Sequence, residues 1–174
     1  MTTDSRDGSA FIFDLESALL NNTKQISPED LATLDTLSQE HEVYIITEQS
    51  ITFVRNLSIP VPYHRVCCGD NDARVYYCTE DDSHLYPMIG SKVLLCRELI
   101  PWYKKIIVFG TDVELLTQLA HVGYCPSNTA NELSTLVDQH RHISQLPYNR
   151  NENFVTHAIQ EYFDEMNLLV SPSL

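Results

Sequence analysis

At 174 residues with 43% hydrophobic side chains, the chain is long enough for one domain with a sizeable core. Its formal net charge of -13 argues against a general binder of nucleic acid or of anionic membrane surfaces, since both are polyanions. The polar opening MTTDSRDGSA lacks the basic start and apolar core of a secretory signal, and no apolar run approaches membrane-spanning length; a soluble, cytoplasmic protein with a flexible stretch over residues 1–9 is expected.

The first element is FIFDLESALL, residues 11–20, in which an apolar run ends on Asp14 and a second carboxylate, Glu16, follows two residues later. Such a run reads as a buried parallel strand, and open α/β sheets place their chemistry just beyond the carboxyl ends of these strands. Asp14 reads either as a site carboxylate or as the cap of the turn after its strand, and Glu16 either as a site acid or as a surface one. Ser27 before Pro28, Glu29 and Asp30 carries the signals of a helix start, and Leu31, Leu34 and Leu37 would face the sheet. EVYIIT, residues 42–47, is the second strand; Thr47 at its end is a β-former or a hydroxyl donor at the sheet edge. A helix over 48–57 is stopped by SIPVP, and the β-rich span 63–80, broken by GDND, predicts a hairpin or a pair of short strands.

EDDSH and YPMIG read as a loop in which Glu80, Asp81 and Asp82 form a solvated acidic run. The helix 92–99 follows, with Lys92 in its first turn, where the helix dipole disfavours a cation unless an anion lies near. Trp102 and Tyr103 are expected beneath the sheet. Further strands are predicted over 104–110, 123–125 and 141–145, and a final helix over 153–169 with Phe154, Ala158, Ile159, Tyr162 and Met166 on its packing face. Strand alternation would put His140 and His142 on one face, as a solvated edge and not a metal site. The five cysteines, Cys67 and Cys68 among them, lack zinc-ligand spacing and read as reduced structural thiols, and without an export signal the sequons at Asn21 and Asn56 carry little weight.

Alternating strands and helices without a linker predict one α/β domain over 1–174, a Rossmann-like three-layer α/β/α fold around a mostly parallel sheet. With FIFDLESALL in place of an hhhDhDGTLL motif, ISPEDLATLDTLSQEHEVYIITEQS in place of a helix, strand and TGR motif, and SKVLLCRELIPWYKKIIVFGTDVELLTQLAHVGYCPSNTANEL in place of a lysine motif and GDxxND loop, nearly the whole chain resembles the haloacid dehalogenase (HAD) superfamily, and looks most like its Cof-type and trehalose-phosphate phosphatase branch. ISQLPYNRNENFVTHAIQEYF is similar to that family's closing helix.

The resemblance implies a magnesium-dependent phosphatase in which Asp14 attacks phosphorus, Glu16 is the acid/base, and Thr47 and Lys92 neutralise the phosphoryl group. Several positions depart from the family pattern. Glu16 is one methylene longer than aspartate, in a class of site where about 1 Å of misplacement costs on the order of 100-fold in rate. Ser17 and Ala18 stand for glycine and threonine, and Glu48 and Gln49 for glycine and arginine. Thr111 and Leu115 stand where two acids support magnesium, so that Asp14, Asp112 and Glu114 could hold the metal only with the loop shifted by one residue.

In that branch a cap domain is inserted between the second and third motifs, but residues 51–91 leave room only for a hairpin or a much reduced cap. The resemblance then implies an open site that takes a phosphorylated small molecule or a bulky phospho-substrate, or one completed by homo-oligomerisation. The expected function is recognition of a phosphorylated ligand with aspartyl-phosphate hydrolysis attenuated or lost. The alternative is an inactive pseudophosphatase serving protein interaction or regulation.

Overall fold

The computed structural model describes residues 8–49, 51–57, 59, 64–70, 74–79, 82–87, 92–100, 104–127 and 131–170. Trp102, Tyr103, Glu80, Asp81 and residues 1–7 lie outside them. Strands β1 (Ser9–Asp14), β2 (Glu42–Thr47), β3 (His64–Asp70), β4 (Arg74–Thr79), β5 (Asp82–Pro87), β6 (Lys105–Phe109), β7 (Val122–Cys125) and β8 (Ile143–Gln145) form one 8-stranded sheet in the order β5-β4-β3-β2-β1-β6-β7-β8. From β3 to β8 across the sheet neighbours run parallel, while β4 and β5 add antiparallel strands at one edge. Helices α1 (Pro28–Glu40), α2 (Ile51–Asn56), α3 (Lys92–Leu99), α4 (Asn131–Gln139) and α5 (Phe154–Val170) complete the chain.

Every residue of β1 is buried, because it has a helix layer on each side. Phe11 and Phe13 point into one core with Leu34 and Leu37 of α1 and Phe154, Ala158 and Tyr162 of α5. Ala10 and Ile12 point into the other with Val93 and Cys96 of α3 and Leu133 of α4. This is the three-layer α/β/α arrangement. On the first side the aromatic rings form a packed row, with Phe13 and Phe109 4.6 Å apart and Phe109 and Tyr124 5.6 Å apart, both stacked.

Helix α1 starts as its sequence requires: the Asp30 amide donates to Ser27 Oγ at 3.1 Å, with Pro28 in the first turn. Asp30 is itself buried and ties α1 to α5, accepting from the Thr156 amide at 2.9 Å and the Thr156 hydroxyl at 2.7 Å. The last helix begins at Phe154 and not at Asn153, because Asn153 is left-handed (φ 55) after a capped turn over Arg150–Glu152.

The described residues of the 51–91 span form α2 and then β3, β4 and β5, so the hairpin extends the sheet sideways. Strand β5 overturns the expected loop. DSHLYP follows an acidic run and ends on a proline, which read as a loop, yet it pairs with β4 from Thr79↔Asp82 to Arg74↔Pro87, and at an edge both a charge and a proline are tolerated. His140 and His142 also differ from expectation, since they precede β8; their rings meet edge to face at 5.5 Å and the His142 Nε2 lies 3.1 Å from the Leu116 carbonyl. Cys96 and Cys125 are free and buried, and burial pushes the Cys125 thiol up to about 12, as expected of a structural thiol. Among the described residues no helix is long and apolar enough to cross a membrane.

Candidate active site at the carboxyl edge of the sheet

The chain leaves β1 toward β2 on one side and returns to β6 on the other, so β1 lies at the point where the strand order reverses. Such a switch point opens a crevice beyond the carboxyl ends of the strands. Asp14, the last residue of β1, sits there with the ends of β2 and β6 as its neighbours. It is only 6% exposed, and Thr47 at the end of β2 is 1% exposed.

After Asp14 the chain makes a single wide turn over Leu15–Leu19, capped by the Ser17 amide donating to Asp14 Oδ1 at 3.0 Å. A matching turn over Leu115–Leu119 follows β6, where the Leu115 amide donates to Asp112 Oδ1 at 3.0 Å. The two turns are laced together, since the Thr111 amide donates to Ser17 Oγ at 2.9 Å. Gly110 makes this approach possible. Its φ is 141, and a Cβ there would lie 2.7 Å from both Asp14 Cβ and Ser17 Oγ. Gly110→Ala should therefore cost about 2–3 kcal/mol, a backbone strain compounded by overpacking. Urea denaturation measures it, and a loss below about 0.5 kcal/mol would contradict the close approach.

Lys92, the first residue of α3, brings its ammonium to within 3.1 Å of Glu48 Oε1 and 3.2 Å of Asp112 Oδ2. Burial alone would lower its proton affinity, but the charges of Asp14, Glu48 and Asp112 outweigh it and the pKa rises. Asp14 is pushed up to about 6, chiefly by burial, with Glu16 adding to the rise while the Ser17 amide and Lys92 hold it down. Glu16, half-buried, turns toward β2: its Oε1 accepts from the Thr47 hydroxyl and from the Glu48 amide, the latter at 3.1 Å. Arg150, from the turn before α5, donates to the Glu16 carbonyl.

Asp14, Glu16, Thr47, Lys92 and Asp112 thus converge at one sheet edge. Glu114 is exposed, and Asp112 spends its oxygens on the Leu115 amide and Lys92. The expected magnesium set of Asp14, Asp112 and Glu114 is not gathered: among the described residues no three His, Cys, Asp or Glu side chains come together to hold a metal. Leu115, wholly buried, adds no oxygen. Ser17 and Arg150 are the contributors that sequence reasoning passed over. In the sequence Ser17 stands out only as a departure from glycine, and no local pattern marks Arg150, whose partner lies 134 residues away.

No family model matches the chain, and no curated protein does. Solved structures share the fold. A Thermoplasma acidophilum structure superposes with a TM-score of 0.64 at 10% identity, covering 89% of this chain and 98% of that one. A Legionella pneumophila protein assigned to subfamily III A of the HAD hydrolases gives 0.58 at 16% identity, over 94% and 86%. The 3-deoxy-D-manno-octulosonate 8-phosphate phosphatase of Moraxella catarrhalis, in complex with magnesium, phosphate and its sugar, gives 0.55 at 17% identity, over 94% and 93%. The fold is HAD-like.

Proposed function

On this HAD-like fold, we propose that the site recognises the phosphate of a phosphorylated small molecule through Thr47 and Lys92, with Asp14 as nucleophile and hydrolysis attenuated. The observation that carries the reading is a buried carboxylate, Asp14, under the charge of a half-buried ammonium, Lys92, at the switch-point crevice. With its pKa at about 6, Asp14 is largely ionised at pH 7.5 and can attack phosphorus. The bond from phosphorus to the ester oxygen breaks, and the leaving oxygen takes a proton from Glu16 in its protonated form, which becomes a carboxylate; water then attacks phosphorus of the aspartyl-phosphate, giving a proton to that carboxylate and releasing phosphate and free Asp14.

Attenuation follows from where Glu16 points. To reach a leaving oxygen it must release both the Thr47 hydroxyl and the Glu48 amide. The magnesium in the Moraxella structure suggests a divalent cation, but among the described residues no oxygen cage for one is assembled. That mismatch, with Leu115 buried at the expected acidic position, favours as a second reading a binding-only pseudophosphatase used for interaction or regulation.

The test combines binding with turnover. Inorganic phosphate at 100 times its dissociation constant should stabilise the protein by about 2.7 kcal/mol, read as a rise in Tm with and without magnesium chloride. Slow release of phosphate from a panel of sugar phosphates, lost in Asp14→Asn, supports the enzyme; binding without release supports the second reading. Turnover undiminished in Asp14→Asn removes Asp14 from the nucleophile's place.

A further inference from the structure

The Thr47 hydroxyl and the Glu48 amide converge on a single acceptor, Glu16 Oε1. The Gln49 amide donates to Thr47 Oγ1 at 2.9 Å, which occupies the acceptor side of that hydroxyl and leaves its proton free to point at Glu16. Two donors aimed at one anionic oxygen, at the end of a parallel strand, form a small anion site, and a carboxylate of the chain itself fills it. The carboxylate is delivered by a braced backbone. Arg150 holds the Glu16 carbonyl, while the next residue, Ser17, is fixed through its amide to Asp14 and through its hydroxyl to the Thr111 amide. Lys92 of the same crevice is likewise answered by the chain's own acids, Glu48 and Asp112.

We infer that Glu16 is an internal competitor of phosphate, a carboxylate that occupies the Thr47 and Glu48 donors and must be displaced before a phosphoryl oxygen can use them. The inference rests on the reading of this crevice as a phosphate site and adds what regulates access to it. The apparent affinity for phosphate is the intrinsic affinity reduced by the fraction of molecules in which Glu16 has let go. Hydrogen bonds to a charged group are strong enough for that fraction to be small. Glu16 thereby becomes the residue that sets how strong an anion must be to enter, so that a weakly accepting ligand is turned away.

The experiment is titration of inorganic phosphate into the full chain by calorimetry, after circular dichroism has shown each variant folded. Glu16→Ala is expected to bind at least tenfold more tightly than wild type. Glu16→Gln, which keeps an acceptor but loses the charge, should fall between them and stands in if the alanine variant does not fold. Adding Thr47→Val should cancel most of the gain, because the freed donor is then missing. Binding no tighter in either Glu16 variant overturns the inference while leaving the phosphate site intact. So does a gain that survives Thr47→Val unchanged, which would be general relief of negative charge. Failure of wild type and all variants to bind phosphate overturns the proposed function itself, and this inference with it.

Discussion

Asp14→Asn is expected to abolish phosphoryl transfer, by more than about 1,000-fold if turnover exists, and at the same time to stabilise the protein near neutral pH. The two effects share a cause. The Asp14 pKa rises from 3.8 to about 6 on folding, so the native state holds a proton that the unfolded chain has already released between those values. Stability contributed by this group is therefore undiminished below about pH 4, falls as pH rises toward 6, and stays lowered above it; the shift is equivalent to about 3 kcal/mol. Asparagine keeps an oxygen that can accept from the Ser17 amide but carries no charge to bury. The gain should therefore appear at pH 8, as a rise in Tm of several degrees, and vanish near pH 4. A loss of stability at pH 8, or a gain equal at both pH values, would mean that burial does not govern this carboxyl. The pattern is what a functional group maintained against the stability of the fold produces.

Lys92→Met should have the second-largest effect. The ammonium lies within 3.2 Å of both Glu48 and Asp112, its side chain is 16% exposed, and its charge reaches Asp14. Removing it leaves the half-buried Asp112 and the buried Asp14 without their shared cation, while Glu48 is exposed and loses little; the loss should be about 1–2 kcal/mol, below the range for a fully buried pair because solvent still screens the site. Lys92 is among the groups that hold Asp14 down, so without it the Asp14 pKa should move above about 6. The destabilisation should then shrink as pH falls and Asp14 takes up its proton. Phosphate affinity should drop by roughly 10- to 100-fold, the loss expected for one charge-assisted contact. Carbon-detected titration of the Asp14 carboxyl and calorimetry with phosphate check the two halves; an unmoved titration with unchanged affinity would remove Lys92 from the site.

Much of the fold is legible locally. The apolar runs before Asp14 and Thr47 become β1 and β2, the Ser27-Pro28 signal becomes the start of α1, and the helix expected over 92–99 begins at Lys92. These succeed because strand burial and helix capping depend on residues a few positions apart. Strand β5 escaped notice because an edge strand takes its stability from backbone pairing and does not need an apolar pattern.

The candidate site divides along the same line. The sequence by itself determined that an aspartate would end the first strand, that a threonine would end the second, and that a lysine would start a later helix, and a parallel sheet brings strand ends to one edge. Only the tertiary structure decided how those groups are spent. It turned Glu16 to Thr47 across 31 positions, bound Lys92 to Asp112 across 20, and placed Ser17 between Asp14 and Thr111. The reason is physical: a buried polar atom must find a partner among whatever packing brings within about 3 Å, and that choice is made by three-dimensional proximity, which no local pattern of residues encodes.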